Sequence, residues 1–193
     1  MLTLRRLFEM LKPDVVSIQE MMVVSEKACE VFAKVLLGWE MRTVDAVGQT
    51  RGLLFAWNPF TINFSFFMRV TCIMLVGLVK NLDMIVRVVN CYGPYNNKQF
   101  FWDGLKDDGV FSMENLIFRC DMNFTISDRE VWGSRLRSDP LVGYFSSILD
   151  EACLVDIFPS MFIPTWRNGR IDEVGGEEIR LIFNIREFGG KCQ

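Results

Sequence analysis

The chain has 193 residues, 50% of them hydrophobic and 13% aromatic, with a formal net charge of −3. That is enough chain for one domain with a real core, and it excludes a disordered composition. Lys and Arg are scattered, so no basic run marks a nucleic-acid-binding tail.

In chain order, residues 3–12 place Leu4, Leu7, Phe8 and Leu11 on one face of a helix that Pro13 stops. Residues 14–20 read as a short buried strand ending in the carboxylate of Glu20. A second helix is expected over 25–37, with Ser25 as N-cap and Gly38 as terminator. The pattern then turns to strands at 52–57, 61–67, 70–79 and 83–91, rich in β-branched and aromatic residues and expected to form one sheet. Residues 92–97 carry turn chemistry. A helix is expected from Phe100, then a buried strand at 116–120 leading into Asp121. An amphipathic helix follows over 140–153, with further strands at 154–158 and 180–185. Helices alternating with strands imply mixed α/β layering, with sheets inside and helices outside.

The longest uncharged stretch, residues 52–68, contains Asn58, Pro59 and Asn63, which argue against a membrane span. The six cysteines form no CxxC pair. Buried thiols are their default reading, and with it an intracellular location. The sequence contains no histidine. That removes Ser-His-Asp, Cys-His and His-Asp chemistry unless a partner supplies the imidazole, leaving carboxylate, metal, Lys, Tyr or Cys chemistry.

Two buried strands that end in Glu20 and Asp121 bring carboxylates to a sheet rim, and Asn123 follows two residues later. Hard divalent cations such as Mg²⁺ take one or two carboxylates together with water and substrate phosphate. Strands also end in acidic residues simply where the chain leaves the core, and spacing alone does not separate the two readings.

The motifs carry a resemblance. Residues 13–20, PDVVSIQE, resemble the PDVVxLQE segment of the endonuclease/exonuclease/phosphatase superfamily. Residues 90–94 are similar to its N-x-Y-x-P strand end, and residues 119–125 to its GDFN motif. Trp132-Gly133, residues 150–156 and residues 164–170 resemble the EAGLVD…PTWRN run of retroelement-type and plant-type members. The resemblance implies a partial two-sheet α/β sandwich of the deoxyribonuclease I-like type over residues 1–170, with 171–193 as a divergent tail. It implies Glu20 as metal ligand, Tyr92 as phosphate contact and Asp121 as the residue that orients the attacking water. Asn123 becomes the amide on the phosphoryl oxygens, and Trp166 with Arg167 the nucleic-acid contacts. Mg²⁺ or Mn²⁺ is the implied cofactor and DNA or RNA the implied partner, with no membrane association.

The departures are equally specific. The Asn-bearing WNxRG strand and the closing SDH motif of the superfamily are not found, and Cys120 and Met122 replace the glycine and aromatic of GDFN. Arg170-Ile171-Asp172 follows the TWRN residues too closely to be the usual R-[IL]-D strand, and Arg180-Leu181-Ile182 lacks its Asp. Three readings follow: an active metal-dependent phosphodiesterase or phosphatase, a degenerate and inactive derivative truncated at both ends, and a nucleic-acid or protein binding module. The absences favour the second.

Overall fold

The computed structural model describes residues 2–45, 52–69, 72–81, 83–124, 131–132, 139–157, 166–167, 175–176 and 179–184. The chain divides into two compact units, Met1–Tyr92 and Gly93–Gln193.

The first unit runs α1 (Leu2–Leu11), β1 (Val15–Met21), α2 (Ser25–Ala33), β2 (Glu40–Val44), β3 (Gly52–Trp57), β4 (Ile62–Arg69), β5 (Cys72–Val79) and β6 (Met84–Tyr92). Here the expectation of a single sheet over 52–91 is corrected. β3 joins β1 and β2 in an antiparallel sheet of order β1-β3-β2, while β4, β5 and β6 form a second antiparallel meander. The break falls at Asn58-Pro59, where Asn58 Oδ1 accepts from the Phe60 amide and turns the chain out of the ladder.

All six residues of β3 are buried because both faces of the strand are covered. Leu54 and Ala56 pack with Val16, Met21, Ala28 and Leu36, and with Phe8 and Phe32 from the helices. On the other face the Trp57 ring meets Phe64 of β4 edge-on at 5.8 Å. A continuous apolar run suits a strand enclosed on both sides. This unit is thus two sheets face to face with helices outside. β2, which the sequence reading passed over, is partly exposed and charged, as an edge strand is.

Ser25 does not cap α2. Val24 occupies the cap position, and the Ser25 amide instead donates to Asp45 Oδ1 at 2.7 Å, a cap supplied from just beyond β2.

The second unit contains α3 (Lys98–Asp107), a 3-10 turn (Val110–Ser112), β7 (Leu116–Asp121), β8 (Val131–Trp132), α4 (Val142–Ala152), β9 (Leu154–Asp156), β10 (Trp166–Arg167), β11 (Gly175–Gly176) and β12 (Ile179–Asn184). β12 lies antiparallel between β7 and β9, and β10, β11 and β8 form a short antiparallel ladder. The strand expected at 180–185 is present as β12, where Leu181, Ile182 and Phe183 pair with Arg119, Phe118 and Ile117. The domain boundary expected near residue 170 falls outside the described residues.

The core of this unit is aromatic. The fully buried Trp102 indole has Phe145 at 5.3 Å, Phe118 at 6.1 Å, Phe124 at 6.2 Å and Phe111 at 6.4 Å between ring centroids. Phe145, Phe118 and Phe124 meet the indole edge-on, and such packing adds about 0.5–1.5 kcal/mol per pair beyond area burial. Of the cysteines, Cys29, Cys72, Cys91 and Cys120 are reduced. Cys153 is disulfide-bonded, so the expectation of thiols throughout does not hold there. Among the described residues no helix is long and apolar enough to cross a membrane.

Candidate active site

Glu20 owes its position to an irregularity in β1. The register runs Val15↔Trp57 to Ile18↔Leu54 and resumes at Met21↔Gly52, so β1 carries one extra residue. Glu20 sits in this bulge with φ 56°, in the left-handed region. A bulge bends the strand and re-aims a side chain, and non-glycine residues in such conformations cost of order 1–3 kcal/mol. The carboxylate is turned into solvent, where its Oε1 accepts from the hydroxyl of Tyr92 at 3.3 Å. The Tyr92 ring is buried.

Beneath this pair lies an amide network that ties the two sheets of the first unit together. Gln19 Nε2 donates to Asn90 Oδ1 at 2.8 Å and to the Cys91 carbonyl at 2.7 Å. Asn90 Nδ2 donates to the Ile18 carbonyl at 3.0 Å and to that of Leu54 at 3.3 Å. Asn90 is fully buried. It therefore joins β1, β3 and β6, and it holds the strand ends that carry Glu20 and Tyr92. Gln19 and Asn90 were not among the expected site residues. The signal was a lone amide in the apolar run of β6, since a buried amide is retained only where it is hydrogen-bonded.

In the second unit Asp121 and Asn123 come together in the turn that leaves β7. Both are nearly buried, at 7% and 8% exposure. Asp121 Oδ1 accepts from the Asn123 amide N–H at 3.1 Å. Asn123 is left-handed at φ 56°, its Nδ2 donates to the Gly93 carbonyl, and its own carbonyl accepts from Lys98 Nζ. The Gly93 amide donates to the Asp121 carbonyl at 2.7 Å. A Cβ on Gly93 would lie 2.8 Å from the Met122 carbonyl oxygen, so this close approach requires glycine. Asp121, Asn123, Gly93 and Lys98 form one hydrogen-bonded cluster that ties the turn after β7 to the start of α3 and the segment before it. The structure therefore brings Glu20 to Tyr92, and Asp121 to Asn123, each pair within its own unit. Trp166 and Arg167 lie in β10, and their side chains fall outside the described residues.

Among the described residues no three acidic, His or Cys side chains converge as a metal cage. Mg²⁺ does not demand one, because it keeps several waters and accepts a single carboxylate. Glu20 fits that requirement: a hard oxygen donor facing solvent, with its orientation held through Oε1 by a phenol.

No family model and no curated protein matches the sequence. Solved structures do match in fold. The endonuclease domain of TRAS1, a telomere-specific non-LTR retrotransposon, superposes with TM-score 0.69 at 16% identity, over 95% of this chain and 78% of that one. The AP endonuclease LMAP from Leishmania major gives TM-score 0.70 at 14% identity, over 95% and 73%. An endonuclease/exonuclease/phosphatase family protein from Bacteroides thetaiotaomicron gives 0.58 at 10% identity, over 94% and 71%. The chain has the deoxyribonuclease I-like α/β fold that its motifs imply.

Proposed function

We propose that this chain, built on that fold, derives from a Mg²⁺- or Mn²⁺-dependent phosphodiester hydrolase and no longer turns over substrate. The observation that carries the reading is the state of the second pair. Asp121 and Asn123, the residues expected to orient water and to hold phosphoryl oxygens, are nearly buried, with Asp121 Oδ1 accepting from the Asn123 amide and Asn123 Nδ2 donating to the Gly93 carbonyl. Those contacts hold the turn after β7 against the segment at Gly93. The chain also contains no histidine to act as general base.

Glu20 would hold the cation, with Tyr92 fixing the carboxylate's orientation. A bound divalent ion would polarise a phosphoryl oxygen and steady the leaving group. Proton transfer is the missing part, and loss of a general base removes a factor of about 10²–10⁴. In the same reading Trp166 and Arg167 supply an aromatic and a cationic contact to DNA or RNA.

Purified protein incubated with Mg²⁺ or Mn²⁺ should cleave abasic-site DNA, single-stranded DNA and a generic phosphodiester only at background rates. Turnover that Asp121→Ala abolishes would overturn the inactive reading. Binding of single-stranded DNA that Trp166→Ala weakens, without cleavage, would instead identify a nucleic-acid-binding module.

A further inference from the structure

Cys72 opens β5 and Cys91 lies near the end of β6, and the antiparallel register sets them directly opposite one another. Opposed residues on neighbouring antiparallel strands share a face, with Cα atoms about 4.5 or 5.5 Å apart according to the kind of pair. A disulfide spans Cα separations of roughly 4.4–6.8 Å, so either spacing lies within its reach without moving the strands. The next pair along the ladder, Ile73↔Asn90, fixes which face this is. Asn90 reaches across to the β1-β3-β2 sheet. Cys72 and Cys91 therefore share the opposite face of the meander. Both are reduced in the structure.

We propose that Cys72 and Cys91 form a reversible cross-strand disulfide that staples β5 to β6 next to Tyr92. The oxidant is a small-molecule disulfide of the glutathione class. Cys72 is the entry point, being the first residue of its strand and 8% exposed against 0% for Cys91. Its thiol gives up a proton and the thiolate attacks one sulfur of the oxidant. The first glutathione thiolate leaves, and a mixed disulfide remains on Cys72. Cys91, deprotonated in turn, attacks the Cys72 sulfur and expels the second glutathione thiolate. Two protein thiols are oxidised, one small disulfide is reduced to two thiols, and the two released protons go to the departing thiolates.

A disulfide in exchange with a glutathione pool forms and breaks as the ratio of reduced to oxidised glutathione changes. The cross-link would also stiffen the strand end that carries the site, because the Cys91 carbonyl accepts from Gln19 and Tyr92 follows it directly.

The test uses the full chain, reduced, freed of reductant and then incubated natively with oxidised glutathione, followed by non-reducing peptide mapping. The expected result is a linked Cys72–Cys91 peptide that dithiothreitol removes and whose fraction tracks the ratio of reduced to oxidised glutathione. In Cys91→Ala, Cys72 should stop at the glutathione adduct. If Cys72 and Cys91 remain thiols while the more exposed Cys29 exchanges, the proposal fails. It fails equally if each ends as a separate adduct in the wild-type chain, or if the link forms only in denaturant. Mapping of the wild-type protein decides the matter even if the variant does not fold.

Discussion

The hydroxyl of Tyr92 donates to Oε1 of Glu20 at 3.3 Å, joining residues 72 positions apart. The tyrosine is buried and the carboxylate faces solvent, so the bond orients the carboxylate from within the fold. A long bond to an exposed group contributes little to stability, at the low end of roughly 0.5–1.5 kcal/mol. Tyr92→Phe should therefore unfold at nearly the same urea concentration as wild type while weakening Mn²⁺ binding measured calorimetrically. Unchanged Mn²⁺ affinity would remove Tyr92 from any role in holding Glu20.

Asn90 presents the opposite balance, since it is fully buried and meets Gln19 and two backbone carbonyls. Each buried group left unsatisfied costs roughly 1–3 kcal/mol. Asn90→Ala should lose at least about 2 kcal/mol in denaturant unfolding. A loss too small to measure would mean the amide network does not hold the two sheets together.

Two glycines should respond to alanine with opposite signs. A Cβ on Gly77 would lie 2.1 Å from the backbone oxygen of Asn63, the residue before its cross-strand partner Phe64. Overpacking of this kind typically costs about 1–3 kcal/mol. A Cβ on Gly143, in α4, would meet nothing within 4 Å. There alanine should stabilise by about 0.5–1 kcal/mol through helix propensity. Chemical denaturation of the two variants side by side checks both signs.

Tyr144 donates to Asp103 Oδ1 at 2.6 Å. Burial, and then that hydrogen bond and the charge of Asp103, push the phenol's pKa above its ordinary value. A group whose pKa is raised on folding contributes stability that is complete below the unfolded value, about 10 for tyrosine, and is lost as pH rises beyond it. The melting temperature should therefore fall on entering that alkaline range. Tyr144→Phe should show a shallower decline, and identical slopes would rule this phenol out as a source of the alkaline sensitivity.

Among the described residues β4 is paired on one side only, with β5. The face it shares with β5 and β6 exposes Phe67 at 60%, together with Leu78 and Ile85. A long apolar edge strand is a template for pairing between chains. The protein is expected to scatter light on standing or gentle warming, and Phe67→Lys should delay that onset. A wild-type chain that stays monodisperse through one sharp transition above about 60 °C, beyond most mesophile domains, would contradict this expectation.

Much of the fold was legible because its signals are local. The Leu4, Leu7 and Phe8 stripe, the apolar runs at Gly52–Trp57 and Cys72–Val79, and the carboxylates after short strands each need only a few neighbouring residues to be recognised. The edge strand Glu40–Val44 was not legible, because its charged residues make a strand only by pairing with β3. Nor was the cap on α2, which Asp45 provides from 20 residues away.

The sequence by itself therefore determined the alternation of helices and strands, the apolar faces that must be covered, and the absence of an imidazole. Periodicity and composition are properties of the chain before it folds. Only the tertiary structure decided that the strands after Trp57 enter a second sheet, and that a bulge turns Glu20 outward to Tyr92. It also set Cys72 against Cys91 and bound Asn123 to the Gly93 carbonyl. These are matters of register and backbone handedness. A slip of one residue in a strand reverses every side chain's face, and no window of local sequence records which register long-range pairing selects.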